Sequence, residues 1–278
     1  MSGAQDNKAA ADASMPKVTL ITGGTKGLGL GFARAFAARG HDLVIVARTR
    51  SALEDVAREV SQSKNVKVHT VEADLSAVQG RDKVERYIHD QGLCVEYLVN
   101  NAGYGLAGFF QDVDRNATLN MLELNVAALT DMTRRFLPHL VARGNGGILN
   151  ISSLAGLTPG PYQATYYATK AYVNSLTFAL AHETRKSGIK IGLLLSGPVA
   201  TEFHSRIGAD TAYYIKFLGM KQPDAVAQYA TGKFLAGSRA IIPGALNKVS
   251  AVLMKLLPRA LVVPGVAWLL RLRGEHSI

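Results

Sequence analysis

Residues 17–40 read KVTLITGGTKGLGLGFARAFAARG and combine three local patterns. An apolar run typical of a buried strand is followed by glycines at 23, 27 and 29, and a helical pattern then continues to Gly40. Such glycines allow the backbone to turn tightly and to approach a pyrophosphate, which then lies at the N-terminus of the helix. In this position the loop indicates a dinucleotide site, although a purely structural turn is the alternative.

The alternation of strand and helix continues along the chain. Further apolar runs lie at 41–48, 66–74, 95–103, 146–153, 189–197 and, briefly, 240–244. Helical patterns lie between them, near 51–62, 81–91, 115–143, 162–187 and 223–237. Strands that are apolar throughout are what a parallel sheet covered on both faces requires. We therefore predict an α/β fold, a Rossmann-type doubly wound parallel sheet of about seven strands in a single domain.

The ends of the chain differ in composition from this core. Residues 1–15 are small and polar and lack the apolar core of a signal peptide, which predicts a disordered tail before a catalytic domain over 16–243. Residues 244–278 are apolar and basic, and prolines at 258 and 264 divide them into short helices. This helical extension could pack on its own core, form a subunit interface or lie on a membrane surface.

The overall composition limits the partners. The 278-residue chain has a formal net charge of +10 and a pI of about 9.7, which favours anionic partners. It contains no long block of Lys and Arg, so nucleic acid is the weaker interpretation. The single cysteine, Cys94, lies in an apolar run and is predicted to be buried and inert, and no metal site is predicted. A cytoplasmic location is the expectation.

The end of the second strand predicts the type of nicotinamide cofactor. NAD sites usually place an acidic residue there, to bind a ribose hydroxyl. Here residues 44–50 read VIVARTR, with Arg48 in place of a carboxylate, and Lys26 lies within the glycine loop. Two cations suit a 2′-phosphate through charge-assisted hydrogen bonds. The sequence therefore favours NADP(H), unless Arg48 only faces solvent.

The segment 165–170, TYYATK, contains two candidate acids. On a helix, Tyr166 lies four residues and Tyr167 three residues before Lys170, and both spacings place a phenol beside the ammonium group. Spacing alone does not choose between them.

Residues 16–240 resemble the short-chain dehydrogenase/reductase family, of the NADP(H)-preferring Tyr-x-x-x-Lys type. The motifs that carry the resemblance are the glycine loop 22–29, EAD ending at Asp74, NNAG at 100–103, LNV around Asn125, NISS ending at Ser153, and YYATK. The resemblance selects Tyr166 over Tyr167 and Ser153 over Ser152. It implies the catalytic residues Asn125, Ser153, Tyr166 and Lys170. It also implies that the cofactor-binding residues are Thr22, Gly23, Thr25, Lys26, Gly27, Leu28, Gly29, Arg48, Asp74, Leu75, Asn101, Ala102, Gly103, Tyr166, Lys170, Pro198, Val199 and Thr201.

The chemistry of these side chains agrees with that selection. Hydride addition to a ketone produces an alkoxide, which needs a proton donor; a free phenol has a pKa of about 10. Lys170 and the positive charge of oxidised nicotinamide should lower the pKa of Tyr166, so that it can act as acid or base. Ser153 can donate a hydrogen bond to the carbonyl oxygen. By resemblance, Asn125 interrupts its helix and holds a water molecule that links Lys170 to solvent.

One position departs from the family pattern. Residues 196–203 read SGPVATEF, with Ser196 where the family commonly has proline, which leaves the geometry of this turn uncertain.

The expected substrate pocket is apolar. We expect it to be lined by Tyr104, Leu154, Tyr162 and a lid over 203–222, while Arg206 and Lys216 could meet an anionic carrier. The expected substrate is a hydrophobic ketone or secondary alcohol, as in a carbonyl or 3-oxoacyl-type reductase.

Two functions are weighed: an NADP(H)-dependent oxidoreductase, and an NADPH-binding regulatory protein without turnover. The resemblance implies a homo-oligomer, a dimer or a tetramer. The C-terminal extension suggests possible peripheral contact with a membrane.

Overall fold

The computed structural model describes residues 15–206 and 213–270. Its strands are β1 Lys17–Thr22, β2 Asp42–Ala47, β3 Val68–Glu72, β4 Cys94–Asn100, β5 Gly147–Ser153, β6 Lys190–Ser196 and β7 Ala240–Ile241. They form one parallel sheet in the order β3-β2-β1-β4-β5-β6-β7. The predicted fold class and strand number are confirmed.

Helices cover both faces of the sheet. They are α1 Gly27–Ala37, α2 Arg50–Lys64, α3 Val78–Asp90, α4 Arg115–Leu122, α5 Leu129–Arg143, α6 Ala164–Glu183, α7 Phe203–Arg206, α8 Tyr213–Leu218, α9 Pro223–Leu235, α10 Ala245–Leu256 and α11 Arg259–Leu270. A π-helical segment, Glu123–Ala128, joins α4 to α5, and a 3-10 turn, Leu154–Leu157, follows β5. In the described ranges, none of these helices has both the length and the apolar character needed to cross a membrane.

The apolar runs are explained by two cores, one on each face of the sheet. Leu20 and Ile21 are adjacent in β1 and both 0% exposed, but they belong to different clusters. Ile21 packs with Phe32, Phe36 and other residues of α1, α2 and α9, whereas Leu20 packs with residues of α3 and α5. Successive side chains of a strand point to opposite faces, so burial of both faces requires an apolar residue at every position.

Ser51, with Glu54 three residues later, matches the sequence pattern of a capping box at the start of α2, and that prediction is wrong. The helix begins at Arg50, the capping position is Thr49, and no side chain of the described residues makes the capping hydrogen bond. Ser51 therefore lies inside the first turn. Glu54 pairs with Arg50 instead, at 3.0 Å between Nε and Oε1, which is the i,i+4 spacing of a surface ion pair.

The C-terminal extension packs on the chain's own core through one side of each helix. In α10, Ala251 joins a cluster with Val173 and Leu193. In α11, Val262, Val266 and Leu270 form a cluster against tyrosines from other parts of the chain. The predicted disordered tail, except residue 15, lies outside the described residues, as do 207–212 of the predicted lid.

Candidate active site

The glycine loop between β1 and α1 has a backbone that only glycine fits well. Gly23 and Gly27 have φ of +65° and +53°, and a Cβ atom on Gly29 would lie 2.1 Å from the carbonyl oxygen of Gly23. Within the described chain, no side chain caps the N-terminus of α1 and no acidic residue occupies its first turn. The backbone N–H groups there suit a phosphate group, so the loop fits a dinucleotide.

Thr22 and Asn101 hold this loop from below. The Thr22 hydroxyl accepts hydrogen bonds from the backbone N–H groups of Asn101 and Ala102, each at 3.0 Å. The Asn101 amide donates to the carbonyl oxygens of Thr22 and Gly23, at 2.9 and 3.0 Å. Thr22 is buried beneath the loop, so any effect of Thr22 on a cofactor is transmitted through the loop's shape.

A buried polar ladder ties β4 to β5 behind the site. Asn100 and Asn150 are paired in the sheet, and the Asn100 amide donates to Asn150 at 2.9 Å and to Thr133 at 3.0 Å. The Asn150 amide continues the ladder to Thr177 on α6, at 2.9 Å. Sequence reasoning identified only Asn100, although an asparagine within an apolar strand is itself a signal of such a network.

The adenosine end of the site contains the predicted cations. Arg48 follows β2 and is exposed, and Asp74 follows β3. Burial raises the pKa of Asp74, but hydrogen bonds from Ser76 and the charge of Arg48 outweigh this effect and lower the pKa overall. Lys26 is paired with Glu202, 3.1 Å from Nζ to Oε1, with both side chains exposed. One of the two cations therefore already has an acidic partner.

Ser153, Tyr166 and Lys170 converge where β5 ends beside α6. The Ser153 hydroxyl donates to the carbonyl oxygen of Ser196 at 3.2 Å, and it lies close enough to the Tyr166 phenol to act on its pKa. Lys170 Nζ donates to the carbonyl oxygen of Ile151 at 3.0 Å and lies 5.8 Å from the centroid of the Tyr166 ring. The fold therefore brings the three predicted groups together in a buried place.

Burial dominates the protonation of these groups. It raises the pKa of Tyr166 to about 12, with the Ser153 hydrogen bond acting in the opposite direction, and it lowers the pKa of Lys170 to about 8. The chain's own residues thus do not produce the lowered phenol pKa expected from the sequence, because desolvation opposes the phenolate. A positive charge beside the phenol, on protonated Lys170 or on an oxidised nicotinamide, would oppose this effect of burial.

Asn125 lies in the π-helical segment and holds the loop after β4. Its amide nitrogen donates to the Tyr104 carbonyl oxygen at 2.8 Å and to the Thr169 hydroxyl at 3.2 Å, and its oxygen accepts from the Tyr104 N–H at 3.1 Å. A Cβ atom on Gly103 would lie 2.8 Å from that oxygen, so glycine is needed there. The water link to Lys170 stays a prediction.

One cavity of about 1530 Å³ extends from the glycine loop to the C-terminal helices. Arg48 and Asp74 line one end, and Ser153, Tyr166 and Lys170 line the middle. The other predicted residues that line it are Gly23, Thr25, Lys26, Gly27, Leu28, Leu75, Asn101, Ala102, Gly103, Pro198, Val199 and Thr201. Thr22, Gly29 and Asn125 lie outside this lining and support it from beneath.

The far end of the cavity is apolar. Tyr104 and Leu154 line the cavity as predicted, but Tyr162 does not; its ring packs against Phe109, with 5.2 Å between centroids. Of the described part of the predicted lid, Phe203, Tyr214 and Met220 line the cavity. The side chains of Arg206 and Lys216 lie outside what the structure describes, so their proposed contact with an anionic carrier stays a prediction.

Sequence reasoning missed the contribution of the extension to this wall. Met254 of α10 and Val266, Leu269 and Leu270 of α11 line the cavity. Their helical spacing was visible in the sequence, but the spacing does not reveal which surface they face.

Tyr167 is a packing residue that also lines the cavity. It packs with both the Tyr166 cluster and the α11 cluster, and a Cβ atom on Gly160 would lie 2.3 Å from its ring. Burial raises the pKa of its phenol, so it stays protonated. The structure thus separates the two neighbouring tyrosines, because Ser153 acts on the pKa of Tyr166 and not on that of Tyr167.

Comparison with known proteins places these features in a family. The family described as "short chain dehydrogenase" matches residues 17–212. The chain is 34% identical over 187 residues to the very-long-chain 3-oxoacyl-CoA reductase of Bos taurus. The aligned region covers 66% of this chain and 59% of that protein. It is 35% identical to sulfoacetaldehyde reductase 2 of Chromohalobacter salexigens, over 71% of this chain and 79% of that protein.

A solved structure gives the same picture. The short-chain dehydrogenase of Sphingobium yanoikuyae, in complex with NADPH, superimposes with a TM-score of 0.76 at 31% identity, covering 88% of this chain and 98% of that one. The family match extends over most of the sheet and includes the glycine loop, Ser153, Tyr166 and Lys170. The chain belongs to the short-chain dehydrogenase family.

Proposed function

We propose that this protein is an NADP(H)-dependent oxidoreductase that transfers hydride between the nicotinamide and a hydrophobic ketone or secondary alcohol. One observation carries the proposal. Ser153, Tyr166 and Lys170 lie in the middle of a single cleft, with a phosphate-binding loop at one end and an apolar wall at the other. The Sphingobium relative, whose structure contains NADPH, supports the choice of cofactor.

The residues present fit NADP(H). The glycine loop and the N-terminus of α1 would hold the pyrophosphate, Arg48 and Lys26 the 2′-phosphate, and Asp74 with Leu75 the adenine end. Lys170 would hold the nicotinamide ribose, and the segment from Pro198 to Thr201 would border the carboxamide. When bound, the cofactor supplies or accepts the hydride.

The chain's own residues handle the proton. When a substrate binds, the Ser153 hydroxyl turns away from the Ser196 carbonyl oxygen and donates its one proton in a hydrogen bond to the substrate carbonyl oxygen, which fixes that oxygen beside Tyr166. Tyr166 donates its phenolic proton to that oxygen in reduction and takes it back in oxidation. Lys170, whose pKa burial lowers to about 8, stabilises the phenolate with its positive charge.

The apolar wall favours a bulky or long-chain substrate. The described residues at that end, including Phe203, Tyr214, Met254 and Leu270, carry no charge. A sulfonate, as in the substrate for which the Chromohalobacter relative is named, would find no cation among the described side chains that line this wall. An acyl chain, as in the substrate for which the bovine relative is named, suits it, so 3-oxoacyl compounds are the preferred class.

The test measures NADPH oxidation by purified protein with three substrates: a long-chain 3-oxoacyl thioester, a bulky aryl ketone and sulfoacetaldehyde. We expect kcat/KM to be highest for the thioester or the aryl ketone. Turnover of sulfoacetaldehyde alone would overturn the substrate class. NADPH binding without turnover of any carbonyl compound would favour the regulatory alternative.

Glu202 is predicted to weaken NADPH binding by competing for Lys26. The pair is exposed, so its interaction is worth less than about 1 kcal/mol. Glu202→Gln should therefore lower KM for NADPH by up to about fivefold and leave KM for NADH unchanged. Steady-state kinetics with both cofactors measures this. Glu54→Gln, which breaks an exposed pair on α2, is the matched control, and an equal change in the two variants would contradict the prediction.

Ser196 is predicted to position Ser153. Its hydroxyl donates to the Ser152 carbonyl oxygen at 3.1 Å, while its own carbonyl oxygen accepts from the Ser153 hydroxyl at 3.2 Å. A proline, as in the family pattern, could not make the first bond. Ser196→Ala removes a bond worth about 1 kcal/mol and should lower kcat about fivefold with KM for NADPH unchanged.

The control for Ser196→Ala is Ser187→Ala. Ser187 also donates its hydroxyl to a backbone carbonyl, that of Thr184 at 2.7 Å, but it precedes β6 and lies outside the lining of the cleft. If both variants retain the wild-type kcat, Ser196 has no positioning role.

A further inference from the structure

The two helices of the C-terminal extension expose an apolar surface on the side away from the core. We define this outer face by seven side chains, each between 43% and 76% exposed: Leu246, Val249, Val252, Leu253, Leu256, Leu257 and Leu261. Contiguous exposed apolar surface of this kind marks an interaction site when no packing requires it. Here the opposite sides of the helices already pack against the protein, through buried residues such as Ala251, Val262 and Val266.

The charges on the two helices that carry the outer face are all of one sign. Lys248, Lys255 and Arg259 are exposed, and the sequence from 225 to 270 contains no Asp or Glu. In α10, Lys248 and Lys255 are seven residues apart and therefore lie on one side of the helix, next to Val252. An apolar stripe flanked by lysines is the pattern of a helix that lies in the plane of a membrane surface.

We propose that the outer face docks on a membrane surface containing anionic phospholipids. The leucines and valines would enter the boundary between headgroups and acyl chains, and the three cations would contact lipid phosphates. A second copy of this chain is a poorer occupant. A symmetric contact would bring the like charges of both copies together, and residues 225–270 offer no carboxylate to neutralise them.

Docking would also place the cleft near the lipid. The inner sides of the same helices carry Met254, Val266, Leu269 and Leu270, which line the apolar end of the cavity. A hydrophobic substrate dissolved in the bilayer could then reach the cleft over a short distance. This last step rests on the proposed function, whereas the docking itself does not.

Trp268 provides a direct measurement. It is the chain's single tryptophan, is 48% exposed and stacks on Tyr213, with 5.2 Å between ring centroids. We expect the full chain to sediment with phosphatidylcholine vesicles that contain phosphatidylserine, and much less with phosphatidylcholine alone. In the mixed vesicles, brominated phosphatidylcholine should quench Trp268 fluorescence, because the tryptophan lies on the docked segment.

Two variants measure separately how the charges and the apolar surface contribute to vesicle binding. Reversal of Lys248, Lys255 and Arg259 to Glu should weaken vesicle binding at least about a hundredfold, since each cation contributes about fivefold. Leu253→Glu with Leu256→Glu should abolish the quenching. The matched controls carry the same substitutions elsewhere: Lys67, Lys83 and Arg86 to Glu, and Val78→Glu with Val141→Glu. NADPH binding by each variant shows that it is folded.

Three outcomes would overturn the proposal. The first is equal sedimentation with both kinds of vesicle, and the second is equal loss of binding in the control variants. The third is a wild-type dimer, detected by analytical ultracentrifugation, that the leucine variant abolishes while wild-type protein ignores vesicles. Failure of the proposed function would be detected separately, because neither sedimentation nor quenching depends on turnover.

Discussion

Replacing Tyr166 by Phe is expected to lower kcat/KM for ketone reduction by about 10²–10⁴-fold, the usual contribution of a general acid. Ser153 lies close enough to this phenol to lower its pKa, and among the described residues no second acid has a pKa that Ser153 lowers. The ring itself packs with Met121, Ala155 and Phe203, contacts that phenylalanine preserves. Stopped-flow measurement of NADPH oxidation under single-turnover conditions would isolate the chemical step.

Tyr167→Phe is the natural control for Tyr166→Phe. The two phenols are adjacent in sequence, their rings lie 6.2 Å apart, and both are buried. Removal of the Tyr167 hydroxyl should change kcat only a few-fold, because this side chain packs against α11 rather than bonding to Ser153. Both variants should bind NADPH with similar affinity. If Tyr166→Phe retained wild-type turnover, the proposed proton donor would be wrong.

Replacing Arg48 by Asp is expected to invert the cofactor preference. The guanidinium at the end of β2 would make charge-assisted hydrogen bonds to the 2′-phosphate, each worth about 1.5–3 kcal/mol. Their loss should lower kcat/KM with NADPH by about a hundredfold. The introduced carboxylate should improve kcat/KM with NADH, because it can accept a hydrogen bond from the ribose hydroxyl.

The control for Arg48→Asp lies two residues further along the chain. Arg50 carries the same charge but pairs with Glu54 on α2 and lies outside the lining of the cavity. Arg50→Asp should leave the ratio of kcat/KM values for NADPH and NADH within about threefold of wild type, as expected for an exposed ion pair. A similar fall in both variants would assign the effect to long-range charge rather than to contact with the phosphate.

Most of the strands were predictable because they are apolar on both faces, although β3 contains His69 and Thr70 and is only partly buried. The runs at 17–24 and 146–153 match β1 and β5 to within two residues at each end. The helix at 115–143 was predicted as continuous, whereas Glu123–Ala128 is π-helical. Apolar periodicity cannot reveal this change, because a single wide turn leaves the surrounding pattern intact. Only the family resemblance indicated an interruption at Asn125.

Contacts between distant segments could not be read from the sequence. The partner of Lys26 is Glu202, 176 residues away, and nothing near Lys26 indicates it. The sequence also did not reveal that α11 lines the cavity, because its apolar side was equally compatible with the chain's own core, a subunit interface or a membrane surface. The capping box at Ser51 failed for a local reason: Arg50 begins the helix one residue earlier and engages Glu54. The sequence motifs identified the residues at the centre of the site, whereas contacts between distant segments determine which other residues surround them.

The position of α11 after the seventh strand has a consequence for biosynthesis. The ribosome releases the glycine loop and the Tyr166 helix well before it completes Val262, Val266 and Leu270. Because all seven strands and the Tyr166 helix precede α11 in the chain, the apolar end of the cleft stays open to bulk water until this last helix packs against it. A chain that ends before α11 would therefore keep its dinucleotide loop and lose part of its substrate wall.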